Sequence, residues 1–180
     1  MSARTLAGLG TLGAIFAVMF LALIGIAFYV VYSFTLYKLA KKRGTPNEWL
    51  AWIPLGQFYL LGETCGEMEL FGKLKIKQTG LYFMLVPVAS WIVSGILSIM
   101  AQIPVIGIMF LIVLRLFNLI WPVVFTVFML CILYRIYSAY FPKDNVLVYT
   151  IISVIGVAQP VFFYLILKKE PISAGYDFRS

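Results

Sequence analysis

Long stretches of this chain carry no charge. Residues 5–37, 78–114, 116–134 and 145–167 hold no Asp, Glu, Lys or Arg, giving runs of 33, 37, 19 and 23 residues. Only 12% of the 180 residues are charged and 63% are hydrophobic, whereas a soluble domain carries about 25% charged residues. This excludes a water-soluble domain of any size. There is no histidine, which removes the commonest general base and the commonest metal ligand. The two cysteines, Cys65 and Cys131, lie far apart. No structural disulfide is expected, both thiols are expected to be reduced, and one Cys without His is a poor zinc set. Walker A, H-E-x-x-H and G-x-S-x-G motifs are missing, as are CaaX and N-myristoylation signals and any internal repeat of the transporter kind.

What is present is length. About 20 apolar residues cross a bilayer as a helix, so the chain reads as an all-α integral membrane protein forming one domain over 1–180. Four transmembrane helices are expected, at about 9–37, 81–101, 105–140 and 146–167. The first stretch is too long for a signal peptide, whose apolar region runs about 7–15 residues. It reads as an uncleaved span that tilts or protrudes. The run 78–114 would be about 55 Å long as one helix and is expected to break at Gln102-Ile103-Pro104. In the third region Arg115, Asn118, Pro122 and Thr126 are spaced 3, 4 and 4, which keeps them on one stripe and favours a single kinked helix. The alternative turns near Arg115–Pro122 and gives five spans. It accounts better for Lys168, Lys169 and Arg179 by placing the C-terminus inside. Phe141-Pro142-Lys143-Asp144-Asn145 reads as a turn.

The net charge is +7, from 14 basic and 7 acidic residues. The basic residues bracket apolar runs, which points to topology and contact with anionic headgroups on the cytoplasmic side, not to nucleic acid. Lys38, Lys41, Lys42 and Arg43 form the densest cluster. The positive-inside rule makes it cytoplasmic and puts the N-terminus outside; Lys73, Lys75 and Lys77 agree. Thr45-Pro46-Asn47-Glu48 has the form of a capping box with Pro at the first helical position. Trp49, Trp52 and Ile53 then share a face, and Pro54 should break the helix. Residues 45–62 are expected as one interfacial amphipathic helix with a bent extension on the inner leaflet, a re-entrant excursion being the variant. Lys73-Leu74-Lys75-Ile76-Lys77 alternates with period two, as in a short strand or hairpin.

Arg115 is the leading candidate binding residue, because a charge within a membrane domain costs about 2.5–3.5 kcal/mol on insertion scales. Asn118 and Thr126 share its face, and Gln159 from the last span would join them around an anion or a lipid headgroup. The competing reading is an arginine that snorkels to an interface. Gln159-Pro160 reads as a kink inside the last span. Glu63, Cys65, Glu67 and Glu69 cluster carboxylates and a thiol, as acid–base work or divalent-ion binding requires; a solvated acidic loop is the plainer reading. Tyr134, Tyr137, Tyr140 and Phe141 with Arg135 read as an interfacial belt. No catalytic residue, metal or cofactor is assigned.

The runs Leu36-Tyr37-Lys38-Leu39-Ala40-Lys41-Lys42-Arg43-Gly44, Trp49-Leu50-Ala51-Trp52-Ile53-Pro54 and Tyr59-Leu60-Leu61-Gly62-Glu63 resemble a group of small uncharacterised multi-pass membrane proteins of Gram-positive, clostridia-like bacteria. In these a basic helix end precedes a W-x-A-x-I-P interfacial segment, and the later Leu70-Phe71-Gly72-Lys73 is similar too. The resemblance covers about a third of the chain. It implies a bacterial plasma membrane and no particular activity. The expected function is that of a non-enzymatic accessory or scaffold subunit, partnered by lipids and by another membrane protein or by itself. The rivals are a small oligomeric transporter or channel for an anionic or lipid-like solute, and a membrane-embedded enzyme using the carboxylate/thiol cluster.

Overall fold

A computed structural model describes residues 3–70, 74–104 and 106–172, with side chains for 13–68, 76–104 and 106–172. Residues 71–73 and Arg179 lie outside the described residues. Six α-helices, one 3-10 helix and a two-stranded hairpin are found among those described: α1 (Ala3–Arg43), the 3-10 helix (Glu48–Trp52), α2 (Pro54–Cys65), β1 (Met68–Leu70), β2 (Leu74–Ile76), α3 (Thr79–Met100), α4 (Gly107–Ser138), α5 (Lys143–Val154) and α6 (Gln159–Leu167). Three helices are long and apolar enough to cross a membrane: Gly13–Arg43, Thr79–Met100 and Gly107–Ser138. The chain is an all-α membrane protein, with the small antiparallel ladder pairing Met68 with Ile76.

α1 has no proline, and no charge between Arg4 and Lys38, so nothing interrupts it for 41 residues. It ends where Gly44 takes a left-handed conformation (φ 66°). Thr45 N–H then bonds Ala40 O and Gly44 N–H bonds Lys41 O, the double bond of a Schellman termination. The chain reverses and runs back along α1. The capping box does not form: Asn47, not Thr45, precedes the 3-10 helix, in a left-handed conformation with no side-chain cap. The segment packs along α1. The Tyr29 hydroxyl donates to Trp52 O at 2.6 Å, and Tyr29 sits about 21 Å along α1 from Arg43. Pro54, suited to a first helical position, opens α2, which returns until Arg43 donates to Thr64 O. Gln57 Nε2 holds the two legs together, bonding Ser33 Oγ (2.9 Å) and Ala51 O (3.0 Å).

α3 and α4 are antiparallel, with Phe83 stacked on Phe125 (5.2 Å) and Ser94 donating to Asn118 (3.3 Å). The turn that follows α3, at 101–104, falls at the expected break. α4 passes through Pro122 without interruption, in agreement with the single-helix reading of 105–140.

The helix expected over 146–167 is instead two. Gly156 (φ 76°) ends α5, and Pro160 stands in the first turn of α6, the glycine-after, proline-before punctuation that separates helices. Pro160 is therefore a helix start and not a kink. The pair doubles back. Ile172 N–H bonds Ala139 O, and Lys42 at the end of α1 bonds Ile166 O and Leu167 O at the end of α6. Both hairpins thus begin and end beside the last turns of α1 and α4.

The buried apolar residues follow this plan. Leu36, Leu39, Leu60, Ile132, Ile136 and Phe163 are fully buried, all in the half of the molecule that includes Arg43. Residues 13–27 of α1 are exposed throughout, and the far halves of α3 and α4 largely so.

Gly62 fixes how closely α2 and α3 approach. A Cβ there would lie 2.6 Å from Gly80 Cα and 2.7 Å from Gly80 N, so Gly62→Ala forces the helices apart. The expected cost is about 1–3 kcal/mol, read as a lower thermal midpoint in detergent. Gly95→Ala, which would meet nothing within 4 Å, should not lower the midpoint, because alanine is the better helix former.

Candidate functional site

Four elements converge at the Arg43 end. Arg43 lies at the centre of the stripe Leu36, Leu39, Ala40, Arg43, which spacing of 3, 4 and 7 keeps on one helical face. That face is buried, so the guanidinium is carried inward. It donates to Thr64 O on α2 and to Ile136 O on α4 (3.2 Å), and it lies 5.1 Å from the Tyr140 ring centroid. The Lys42 ammonium donates to Ile166 O (3.1 Å), Leu167 O (3.2 Å) and Lys169 O. A cation at these last carbonyls complements the negative end of α6. Of the residues expected at the membrane interface, Lys42 and Arg43 thus bind carbonyls inside the fold. Lys38 is exposed over the Phe34 ring (4.4 Å), Lys41 is exposed, and Trp49 and Trp52 are exposed on the 3-10 helix.

A second cluster lies where α5 and α6 pack on α1 and α4. The Tyr137 hydroxyl and Ser153 Oγ are 2.8 Å apart. Phe163 stands between Tyr32 and Tyr137, with centroids 6.2 and 6.3 Å away. Tyr149 packs on Phe141 (4.9 Å) and Phe162 (5.0 Å). The expected aromatic belt is corrected here. Tyr134 is exposed, but Tyr137, Tyr140 and Phe141 are buried, because the α5–α6 hairpin folds over the end of α4 where a span would have left it open.

The four candidate binding residues are dispersed. Arg115 is exposed on α4. Asn118 is exposed and accepts from Ser94. Thr126 is half-buried, and Gln159 is 4% exposed at the start of α6. No hydrogen bond among the described residues joins any two of them.

The carboxylate/thiol cluster does not assemble into a reactive site. Cys65 is not in a loop; it ends α2 and is fully buried, and burial pushes its thiol up to about 11, away from the thiolate that would react. Glu67 is exposed, and Glu69 lies outside the described side chains. Among the described residues no three of Cys, Asp and Glu group together as metal ligands would. Glu63 instead accepts a hydrogen bond from Gly80 N–H at the start of α3, where a carboxylate complements the helix dipole.

No family model matches the chain, and neither a curated protein nor a solved structure matches it.

Burial raises the Glu63 carboxyl above its usual value, outweighing the opposing bond from Gly80. A carboxyl raised on folding favours the folded state below its unfolded pKa, and that contribution is lost as pH rises through the folded pKa. Glu63→Gln is therefore expected to raise the thermal midpoint at neutral pH, with the gain shrinking as pH falls through the folded-state value. A constant difference from neutral to acid pH would refute this account.

Proposed function

We propose that the chain is a non-enzymatic multi-pass protein of the plasma membrane that serves as an accessory or scaffold subunit of a larger membrane assembly. One observation carries the reading: its exposed apolar surface is longer than a bilayer. Arg115 and Arg135 are 20 residues apart on α4, about 30 Å, which equals the hydrocarbon thickness of about 30 Å. Yet Gly107–Leu114 extend α4 about 12 Å beyond Arg115 without a charge, and Ile108 and Met109 there are 72% and 70% exposed. On α1 the charge-free run ending at Tyr37 exceeds a 20-residue span by about 20 Å, and Ile15 and Phe16 are exposed in that excess. Tilt relieves part of such a mismatch. A protein partner over both projecting ends relieves all of it and matches an exposed apolar patch of this kind.

The accompanying topology has three spans, with the start of α1 outside and the end of α6 inside. The two hairpins (the 3-10 helix with α2, and α5 with α6) enter from the inside and return to it. Charge supports this. The basic residues of 38–43, Arg135, Lys143, Lys168 and Lys169 all lie toward the Arg43 end, which the positive-inside rule makes cytoplasmic. The basic end of α6 conflicted with a four-span layout; the returning hairpin removes that conflict while keeping α4 a single helix.

Two measurements check these statements. In a chain with Cys65 and Cys131 replaced, Lys41→Cys and Glu170→Cys should react with a membrane-impermeant maleimide from the same side, and Gln102→Cys from the other. Labelling of Glu170→Cys from the Gln102 side removes the three-span layout. Native mass spectrometry after gentle extraction from the source membrane should find a stoichiometric protein partner, and Ile108→Glu with Met109→Glu should release it without loss of the fold. A wild-type protein recovered as a ligand-free monomer under the same conditions would count against the accessory reading.

A further inference from the structure

The two hairpins make the molecule unequal in width at its two ends. α2, α5 and α6 have 12, 12 and 9 residues, or about 18, 18 and 14 Å, about half to three-fifths of a 30 Å hydrocarbon layer. At the Arg43 end the chain presents seven legs: α1, the 3-10 helix, α2, α3, α4, α5 and α6. At the far end only α1, α3 and α4 continue. With a diameter of about 10 Å per helix, each leg occupies about 80 Å², so the four extra legs add about 300 Å² on one side only. Burial traces the same profile, since among the described residues the packed core lies in the wide half.

What lies beyond the hairpin tips is settled by their composition. The first tip exposes Trp52, Ile53 and Leu55, and the second exposes Ile155 and Val157. In the re-entrant topology proposed above these apolar side chains lie below the headgroups, and acyl chains of the opposite leaflet would cover them. The projecting ends of α1 and α4 discussed above lie farther out and do not fill this space.

We propose that the protein is a membrane wedge: it occupies more area in the leaflet at its Arg43 end than in the other, and so partitions into membrane where that leaflet is convex. The lipid bilayer itself is the partner surface, recognised by shape. The inference rests on the re-entrant topology and is independent of any protein partner.

The test uses the full chain, labelled with a fluorophore at Glu170→Cys in the cysteine-replaced background. It is reconstituted into giant vesicles of phosphatidylcholine and phosphatidylglycerol from which narrow tubes are pulled outward. Quenching by an impermeant external quencher reports which molecules have the Arg43 end outward. Those molecules should be denser on the tube than on the vesicle by about threefold, or about 0.65 kcal/mol, and molecules in the opposite orientation should be depleted. Equal tube-to-vesicle ratios in the two orientations overturn the wedge. In the same vesicles Trp52→Cys and Val157→Cys should resist impermeant maleimide from both sides. If a tip reacts from the Gln102 side, the hairpins cross the bilayer, and the wedge falls together with the topology beneath it. Shielded tips with equal ratios remove the wedge alone.

Discussion

The structure depends on a buried guanidinium. Arg43 stands at the last turn of α1 and joins it to the C-terminal ends of α2 and α4. A helix end leaves four carbonyls without intrahelical partners, and three helices ending together concentrate such groups in one place. Arginine supplies five donors in a fixed plane, so one residue answers two helices, with the ring of Tyr140 beside it. Lys42, one position earlier, does the same for α6. A hydrogen bond from a charged group typically contributes about 1.5–3 kcal/mol. Its loss here would fall on every element that returns to this end.

In the proposed re-entrant topology the hairpins depend on that arrangement, because a helix that stops within a membrane is expensive. Its terminal groups have no water to bond. The tips are built to limit this. A 3-10 helix with its own short bonds leads into Pro54, which has no N–H to leave unsatisfied, and Gln57 bonds Ala51 O within the same tip. In the second tip Gly156 N–H bonds Ser153 O and Val157 N–H bonds Ile155 O, while Pro160 again removes a donor. Each tip thus pairs tight turns with a proline at the following helix start.

Long uncharged runs made the membrane class and the spanning helices α1, α3 and α4 legible in the sequence. The spacing of Arg115, Asn118, Pro122 and Thr126 distinguished one helix from two, because a stripe survives only in a continuous helix. The α5–α6 hairpin was not legible from length, since 23 uncharged residues equal one span. Its signal was the pair Gly156 and Pro160, which hydropathy ignores. Arg43 was hidden by its neighbours. Four basic residues within six positions read as a collar until the stripe through Leu36, Leu39 and Ala40 is followed to its fourth member. The capping box at Thr45 matched a motif, but the Schellman turn at Gly44 had already consumed the Thr45 N–H. The polar pair of Tyr137 and Ser153 joins residues from different helices, and no local pattern reports such a meeting. Arg115, Asn118, Thr126 and Gln159 were chosen for their polarity within apolar runs, a criterion that fixes no mutual distance.

The ammonium of Lys42 meets carbonyls 124 and 125 positions later in the chain. The contact that closes the fold therefore joins one of its earliest elements to its last. During synthesis α1 is complete long before α6 exists, and loop closure over that distance comes only after every intervening helix has been made. Until then the buried positions around Arg43 and Tyr137 lack their covering layer. The growing chain holds an open basic end until α6 has been made, and α6 then seals it.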